Sequence, residues 1–143
     1  MATKIGRAEV QREIQQMLGT MPSWVSEMPE GALVGFWTTM RDLQLAETHI
    51  PNKYKELIGL AVSGATRCRY CTLFHTEAAR LAGATDAEIA EASAMGGFTM
   101  MASTFLNAQQ TDYEQFRKET LQIVAHLKSQ APAPRPQDRS ARA

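Results

Sequence analysis

The chain's two cysteines, Cys68 and Cys71, stand three residues apart in "ATRCRYCTLFHTEAARLAGA", and His75 follows four residues after the second. Residues at i, i+3 and i+7 lie along one stripe of a helix, so a helix opening at the cysteines gathers both sulfurs and the imidazole on one face. The chemistry this offers is thiol chemistry. At a helix N-terminus the unpaired N–H groups and the macrodipole favour thiolate over thiol, and a Cys-x-x-Cys brings the two sulfurs within disulfide reach. Arg67 and Arg69 add positive charge beside them. A histidine one turn further on can take or give the protons that a thiol must exchange at neutral pH. Two other readings use the same residues. Two thiolates, an imidazole and a carboxylate could ligate zinc, although three ligands along one stripe do not readily enclose an ion. Cysteines are also often buried for packing alone.

Composition narrows the partners. At 143 residues the chain suits one domain with a substantial core. Fifteen basic and fifteen acidic side chains cancel, so no global field draws it to nucleic acid or an anionic membrane, and small ligands or proteins are the expected partners. The N-terminal "MATKIGRAEVQREIQQML" is charged and lacks the apolar run of a secretory signal, which points to the cytoplasm. In that compartment a Cys-x-x-Cys is more often catalytic or metal-binding than a structural staple. Residues 92–111, "ASAMGGFTMMASTFLNAQQT", carry no charge, but their Gly, Thr, Ser, Asn and Gln content suits a helix enclosed by other helices or another subunit rather than a membrane span.

The elements that must position the cluster are helical, and no strand-like alternation competes with them. Val10, Ile14 and Met17 mark a first helix. "GTMPSWVSEMPEG" breaks it as an irregular connection, and Leu33, Phe36, Trp37, Met40 and Leu43 mark a second. Pro51 opens a third, for which Leu57, Ile58, Ala61, Val62 and Ala65 are the expected buried face, ending near Gly64. A fourth begins around the cysteines and runs to Leu81 before Gly83. Thr85 and Glu88 then have capping-box spacing, so a helical hairpin is expected there. A helix through the uncharged segment and a last one showing Tyr113, Phe116, Thr120, Ile123 or Val124, and Leu127 complete an all-α domain of about six to seven helices. Residues 1–29 read as an N-terminal helix and connection, 30–130 as the main helical domain, and the proline-rich 131–143 as a disordered tail. Trp24, Trp37, Phe98, Met100, Met101 and Phe105 read as core or interface, His49 and His126 as surface or capping residues, and Asn107 as a candidate to face the site.

Glu56 lies twelve residues before Cys68, and the set Glu56, Cys68, Cys71, His75 reads Glu-x11-Cys-x2-Cys-x3-His. This pattern, with "KELIGLAVSGA", "HTEAARLAGATDAEI" and the small-residue-rich helix after them, resembles the alkylhydroperoxidase D-like proteins of the carboxymuconolactone decarboxylase superfamily. The resemblance covers about residues 30 to 115 and implies an all-helical domain that assembles as a homotrimer or a larger ring such as a hexamer. It also implies a dithiol that reduces hydroperoxides without a cofactor. By the same resemblance Cys71 is the peroxidatic cysteine, Cys68 the resolving cysteine, and Glu56 and His75 a proton relay. The reductant stays open among a lipoyl carrier, a thioredoxin-like protein and a small thiol. A decarboxylase-like enzyme on another small substrate, and a metal-binding or redox-sensing protein, are the alternatives.

Overall fold

The structure, a computed structural model, describes residues 5–130, so the expected disordered tail lies outside the described residues. It is all-α: α1 (Arg7–Leu18), α2 (Ser23–Ser26), α3 (Glu30–Thr39) continued by a π-helical segment (Met40–Leu45), α4 (Asn52–Ala65), α5 (Arg69–Leu81), α6 (Asp86–Ala108) and α7 (Tyr113–Gln130). No strand occurs among the described residues. The chain divides into two compact units, residues 1–99 and 100–143, with the boundary inside α6.

In the first unit α1, α2 and α3 bury one apolar cluster of Val10, Ile14, Val25, Leu33 and Trp37. The expected stripes are there but shorter: Met17 is exposed, and Leu43 is turned outward where α3 passes into the π-helical turn. The wider π turn advances each residue by less than 100° around the axis, so a stripe extrapolated at 3.6 residues per turn loses its face there. The connection expected to be irregular contains the one-turn helix α2, which supplies Val25 to the core. Trp37 Nε1 donates to Glu13 Oε2 at 2.7 Å, and Arg41 bonds the same oxygen at 2.9 Å, which satisfies the one polar atom of the buried indole. Arg7 ties α1 to the end of α2 through the carbonyls of Ser26 and Met28.

The π-helical segment is joined to α4 by side chains of α4's first turn. Asn52 donates to the Leu45 carbonyl at 2.9 Å, and Lys55 Nζ donates to the carbonyls of Leu43 at 2.7 Å and Ala46 at 2.6 Å. These bonds satisfy backbone oxygens left open where the helix ends. Pro51 is the N-cap of α4, one residue ahead of the expected first turn. The expected buried face of α4 holds only in part, with Leu57, Ala61 and Ala65 half-buried. Ile58 and Val62 are exposed, and the buried residues are Glu56, Leu60 and Ser63, a stripe at i, i+4 and i+7 that faces α5. Hydrophobic periodicity pointed partly to the wrong side because the face that packs within the chain carries a carboxylate, a glycine and a hydroxyl.

The capping box opening α6 forms as expected. Thr85 N donates to Glu88 Oε2 at 2.8 Å, and Glu88 N donates to Thr85 Oγ1 at 3.2 Å. Lys53 Nζ, 2.7 Å from Glu88 Oε1, ties the start of α4 to the start of α6. Gly96 lies against the backbone of Ala61, where a Cβ would come 2.8 Å from the carbonyl oxygen, so α4 and α6 cross in close contact. In the second unit Asp112 caps α7 by accepting from Gln115 N at 2.7 Å. Neither α6 nor α7 contains a buried residue. No helix among the described residues is long and apolar enough to cross a membrane.

Candidate active site

The turn between α4 and α5 places the first cysteine. Cys68 N donates to Ser63 O at 2.9 Å and Arg67 N to Gly64 O at 3.2 Å, the paired bonds of a Schellman motif. That motif needs a left-handed residue after the cap, and Arg67 takes the role at φ 59°. A non-glycine residue there carries a backbone cost of about 1 kcal/mol. The arrangement delivers Cys68 directly to the N-cap of α5, where its sulfur accepts from Cys71 N at 3.4 Å. Thr72 Oγ1 donates to Cys68 O at 3.0 Å and lies 3.4 Å from Ser63 Oγ, stitching the ends of the two helices together.

The two thiols are free, and their sulfurs are 2.7 Å apart. Hydrogen bonds from the Cys71 thiol and the Cys71 backbone N–H hold the Cys68 thiol below its ordinary pKa, whereas donating to Cys68 and partial burial push Cys71 up. Of the two, Cys68, the half-buried N-cap, is thus the thiol favoured to ionise, and Cys71 is the exposed member.

The second pair lies deeper. Glu56 is 4 % exposed, and its Oε2 is 2.7 Å from His75 Nδ1. The carboxylate accepts, so Nδ1 carries the hydrogen and Nε2 is the nitrogen left for proton exchange. Gln44 of the π-helical segment donates from Nε2 to the other carboxylate oxygen, Glu56 Oε1, at 3.4 Å. Phe74 stands edge-on to the imidazole, with ring centroids 5.4 Å apart. All four residues expected in the site thus sit on α4 and α5, in two bonded pairs. Among the described residues no direct hydrogen bond joins His75 to either sulfur.

Comparison with known proteins decides the lineage. The family model of the carboxymuconolactone decarboxylase family matches residues 32–108, just over half of the chain, and its span includes all four site residues. The chain belongs to this family. The alkylhydroperoxidase AhpD core from Rhodospirillum rubrum is similar in structure, with a TM-score of 0.67 and 28 % identity over 76 % of this chain and 84 % of that one. A protein from Methanobacterium thermoautotrophicum matches with a TM-score of 0.53 and 32 % identity, covering 61 % of this chain and 96 % of that one. No curated protein matches the sequence. The chain is an alkylhydroperoxidase D-like member of the carboxymuconolactone decarboxylase superfamily, and its all-α fold is the one the resemblance implied.

Gln44, Gly59, Ser63 and Thr72 adjoin the candidate residues, and sequence reasoning missed them. Gln44 lies outside any local motif. Glycine and serine in a helix have many uses, and only the spacing of Gly59 and Ser63 from Glu56 on one face marks them. Asn107 spends its amide on the Ser103 carbonyl at 2.7 Å within α6. His126 contacts Gln130 on the exposed surface of α7, and His49 is exposed. Among the described residues no three His, Cys, Asp or Glu side chains converge to hold a metal ion. Beside the dithiol, Arg67, Arg69, Thr72 and Leu73 line a shallow, open depression of about 490 Å³.

Proposed function

We propose that the protein is a thiol-dependent peroxidase that reduces hydroperoxides through a Cys68/Cys71 dithiol–disulfide cycle, with Glu56 and His75 as its proton relay. The observation that carries this reading is the pairing of sulfurs 2.7 Å apart at a helix N-terminus with a buried carboxylate bonded to a half-buried imidazole on the same two helices. The solved alkylhydroperoxidase core of the same fold supports it.

The cycle begins with proton movement. Cys71 gives its proton to His75 through an intervening water, and Glu56 stabilises the imidazolium that forms. The Cys71 thiolate attacks the terminal peroxide oxygen: an S–O bond forms, the O–O bond breaks, and the leaving alkoxide takes the proton from His75 as alcohol. Cys68 thiolate then attacks the sulfenic sulfur, and the S–O bond breaks. Hydroxide leaves and takes a proton from solvent as water, giving the disulfide. A dithiol reductant, of lipoyl or thioredoxin-like type, exchanges with this disulfide and restores the starting state. We assign first attack to Cys71, although Cys68 is the thiol with the lowered pKa. Cys71 is the exposed sulfur, and the thiolate of the higher-pKa thiol is the more nucleophilic once formed. The reading includes a cytoplasmic location and a homo-oligomer, trimer or hexamer. Met101 and Phe105 of α6, and Tyr113 and Leu127 of α7, are large apolar side chains left exposed in the single chain, and a second copy is the natural cover.

One equivalent of an organic hydroperoxide should consume both thiols and lower the mass by about two hydrogens as the disulfide forms. In Cys68→Ser the same addition should leave a sulfenic acid at Cys71, trappable by a dimedone-type reagent, with turnover stopped. Alkylation of Cys68 in the untreated protein should set in at a pH below that of a free cysteine, because its thiol is depressed. A wild-type protein that keeps both thiols under peroxide refutes the peroxidase. Trapping at Cys68 in Cys71→Ser reverses the order of attack.

A further inference from the structure

Gly59 sits in the middle of α4, three residues after Glu56, where glycine is the least favourable residue short of proline. A Cβ built at this position meets three atoms first, and all three belong to the His75 ring: Cε1, Nδ1 and Nε2, the last at 2.7 Å. Real Cβ atoms do not approach so closely, so the imidazole occupies the volume that any other residue would fill. Gly96 differs in kind, since the atoms that crowd it are Ala61 backbone and its role is to let two helices approach. Gly35 in α3 differs again, with nothing within 4 Å of a Cβ. The space at Gly59 is thus reserved for one side chain and not for helix packing in general.

We infer that Gly59 is a positioning residue of the site: its missing side chain forms the seat on which the His75 imidazole lies, and this seat fixes the 2.7 Å bond from Nδ1 to Glu56. Three supports then hold the ring. The carboxylate fixes one edge, the bare backbone of α4 receives the Nδ1–Cε1–Nε2 side, and Phe74 packs edge-on at 5.4 Å between centroids. A methyl group at position 59 pushes the ring off this place and breaks its bond to Glu56. The consequence for proton transfer rests on the peroxidase reading; the seat itself does not.

A double-mutant cycle separates the two. Gly59→Ala, His75→Ala and the combined variant are compared by thermal unfolding, by the nitrogen NMR signature of the His75 ring where that histidine is kept, and by the rate of thiol loss under peroxide. Helix propensity alone predicts that alanine raises Tm wherever it fits. The seat predicts opposite signs: Gly59→Ala lowers Tm when His75 is present and raises it when His75 is alanine. It also predicts loss of the Nδ1-protonated, carboxylate-bonded signature in Gly59→Ala, and a peroxide reaction slowed at least about tenfold, to the level of His75→Ala. Gly35→Ala should keep the signature and the rate. If Gly59→Ala does not fold, the combined variant decides: folding with a Tm above that of His75→Ala supports the seat, and failure to fold overturns it. A Tm raised by Gly59→Ala in both backgrounds, or an unchanged imidazole signature, also overturns it. Absence of any peroxide reaction in the wild type would sink the peroxidase reading while the thermal cycle still decides the role of Gly59.

Discussion

The three N-terminal helices and the α4–α5 hairpin are built on opposite principles. In the first, Val10, Ile14, Val25, Leu33 and Trp37 seal an apolar core, and the single buried polar atom, the indole nitrogen, has a carboxylate partner. In the second, the residues buried on α4 are Glu56, Leu60 and Ser63, one glycine is kept empty for an imidazole, and the connecting turn forces Arg67 into a left-handed conformation. Apolar burial stabilises a fold at roughly 25 cal/mol per Å², whereas a buried carboxylate repays its desolvation only if its partners are well placed. The N-terminal region therefore carries stability, and the hairpin gives up stability to hold reactive groups in register. Local violation of folding preferences is what the proposed catalytic role requires, because groups poised for proton and sulfur transfer cannot also be the most comfortable ones for the chain.

The strongest break of this contrast is Trp37→Ala. Trp37 is 1 % exposed at the centre of the N-terminal core, and truncating a buried aromatic costs about 3–5 kcal/mol. Urea unfolding should show an unfolding free energy lowered by that amount, with a correspondingly lower midpoint. Under conditions where the variant remains folded, the pH profile of thiol alkylation should be unchanged, since the core is built from α1–α3 and the dithiol sits at the start of α5. A loss of stability under about 1 kcal/mol would mean that the apolar core does not carry the fold.

The hairpin gives the converse experiment. Replacing both members of its carboxylate–imidazole pair, Glu56→Met with His75→Leu, removes a buried carboxylate and a half-buried imidazole and leaves apolar side chains of similar size. Such replacements are often neutral or stabilising by about 1–4 kcal/mol. The double variant should unfold no earlier than wild type in urea, whereas either substitution alone, which strands a polar partner, should destabilise by about 3 kcal/mol. Peroxide turnover should be lost in all three. A double variant as unstable as the singles would show that the pair is retained for structure.

This division explains what could be read from the sequence. Thr85 and Glu88 announced their capping box because both partners are local and the motif is nearly self-contained. Cys68 and Cys71 were legible for the same reason: the spacing alone puts two sulfurs at the opening of one helix. The buried side of α4 was legible only in part. Ile58 and Val62 outweigh Glu56 and Gly59 in any hydrophobic count, yet α5 packs on the glycine side because the imidazole must reach the carboxylate. Gln44 was invisible because it reaches Glu56 from a π-helical turn, and the wider turn erases the 3.6-residue register by which its facing could be inferred. The same turn explains why Leu43 is exposed, whereas Met17 is exposed for a simpler reason, since the apolar stripe of α1 runs past the end of the surface it packs against.

The smallest effect tests whether strain in the hairpin is confined to its turn. Three helix ends among the described residues share the Schellman pattern, and α6 closes in one around Gln110 at φ 49°. At the end of α5, Gly83 takes the left-handed position at φ 83°, with Gly83 N bonding Arg80 O and Ala84 N bonding Ala79 O. At the end of α4 the same bonds form around Arg67 at φ 59°. Glycine enters this conformation without the Cβ clash but gives up more unfolded-state entropy, so Arg67→Gly should stabilise the protein by only about 0.5 kcal/mol. Arg67→Val, β-branched at the same backbone angles, should cost about 1–2 kcal/mol. Paired urea titrations resolve the two signs. A valine variant as stable as wild type would show that the turn relaxes out of the left-handed region, and with it the delivery of Cys68 to the N-cap. A glycine variant that gains stability but loses the depressed Cys68 pKa would instead assign Arg67 an electrostatic part in holding the thiolate, separable from its backbone role.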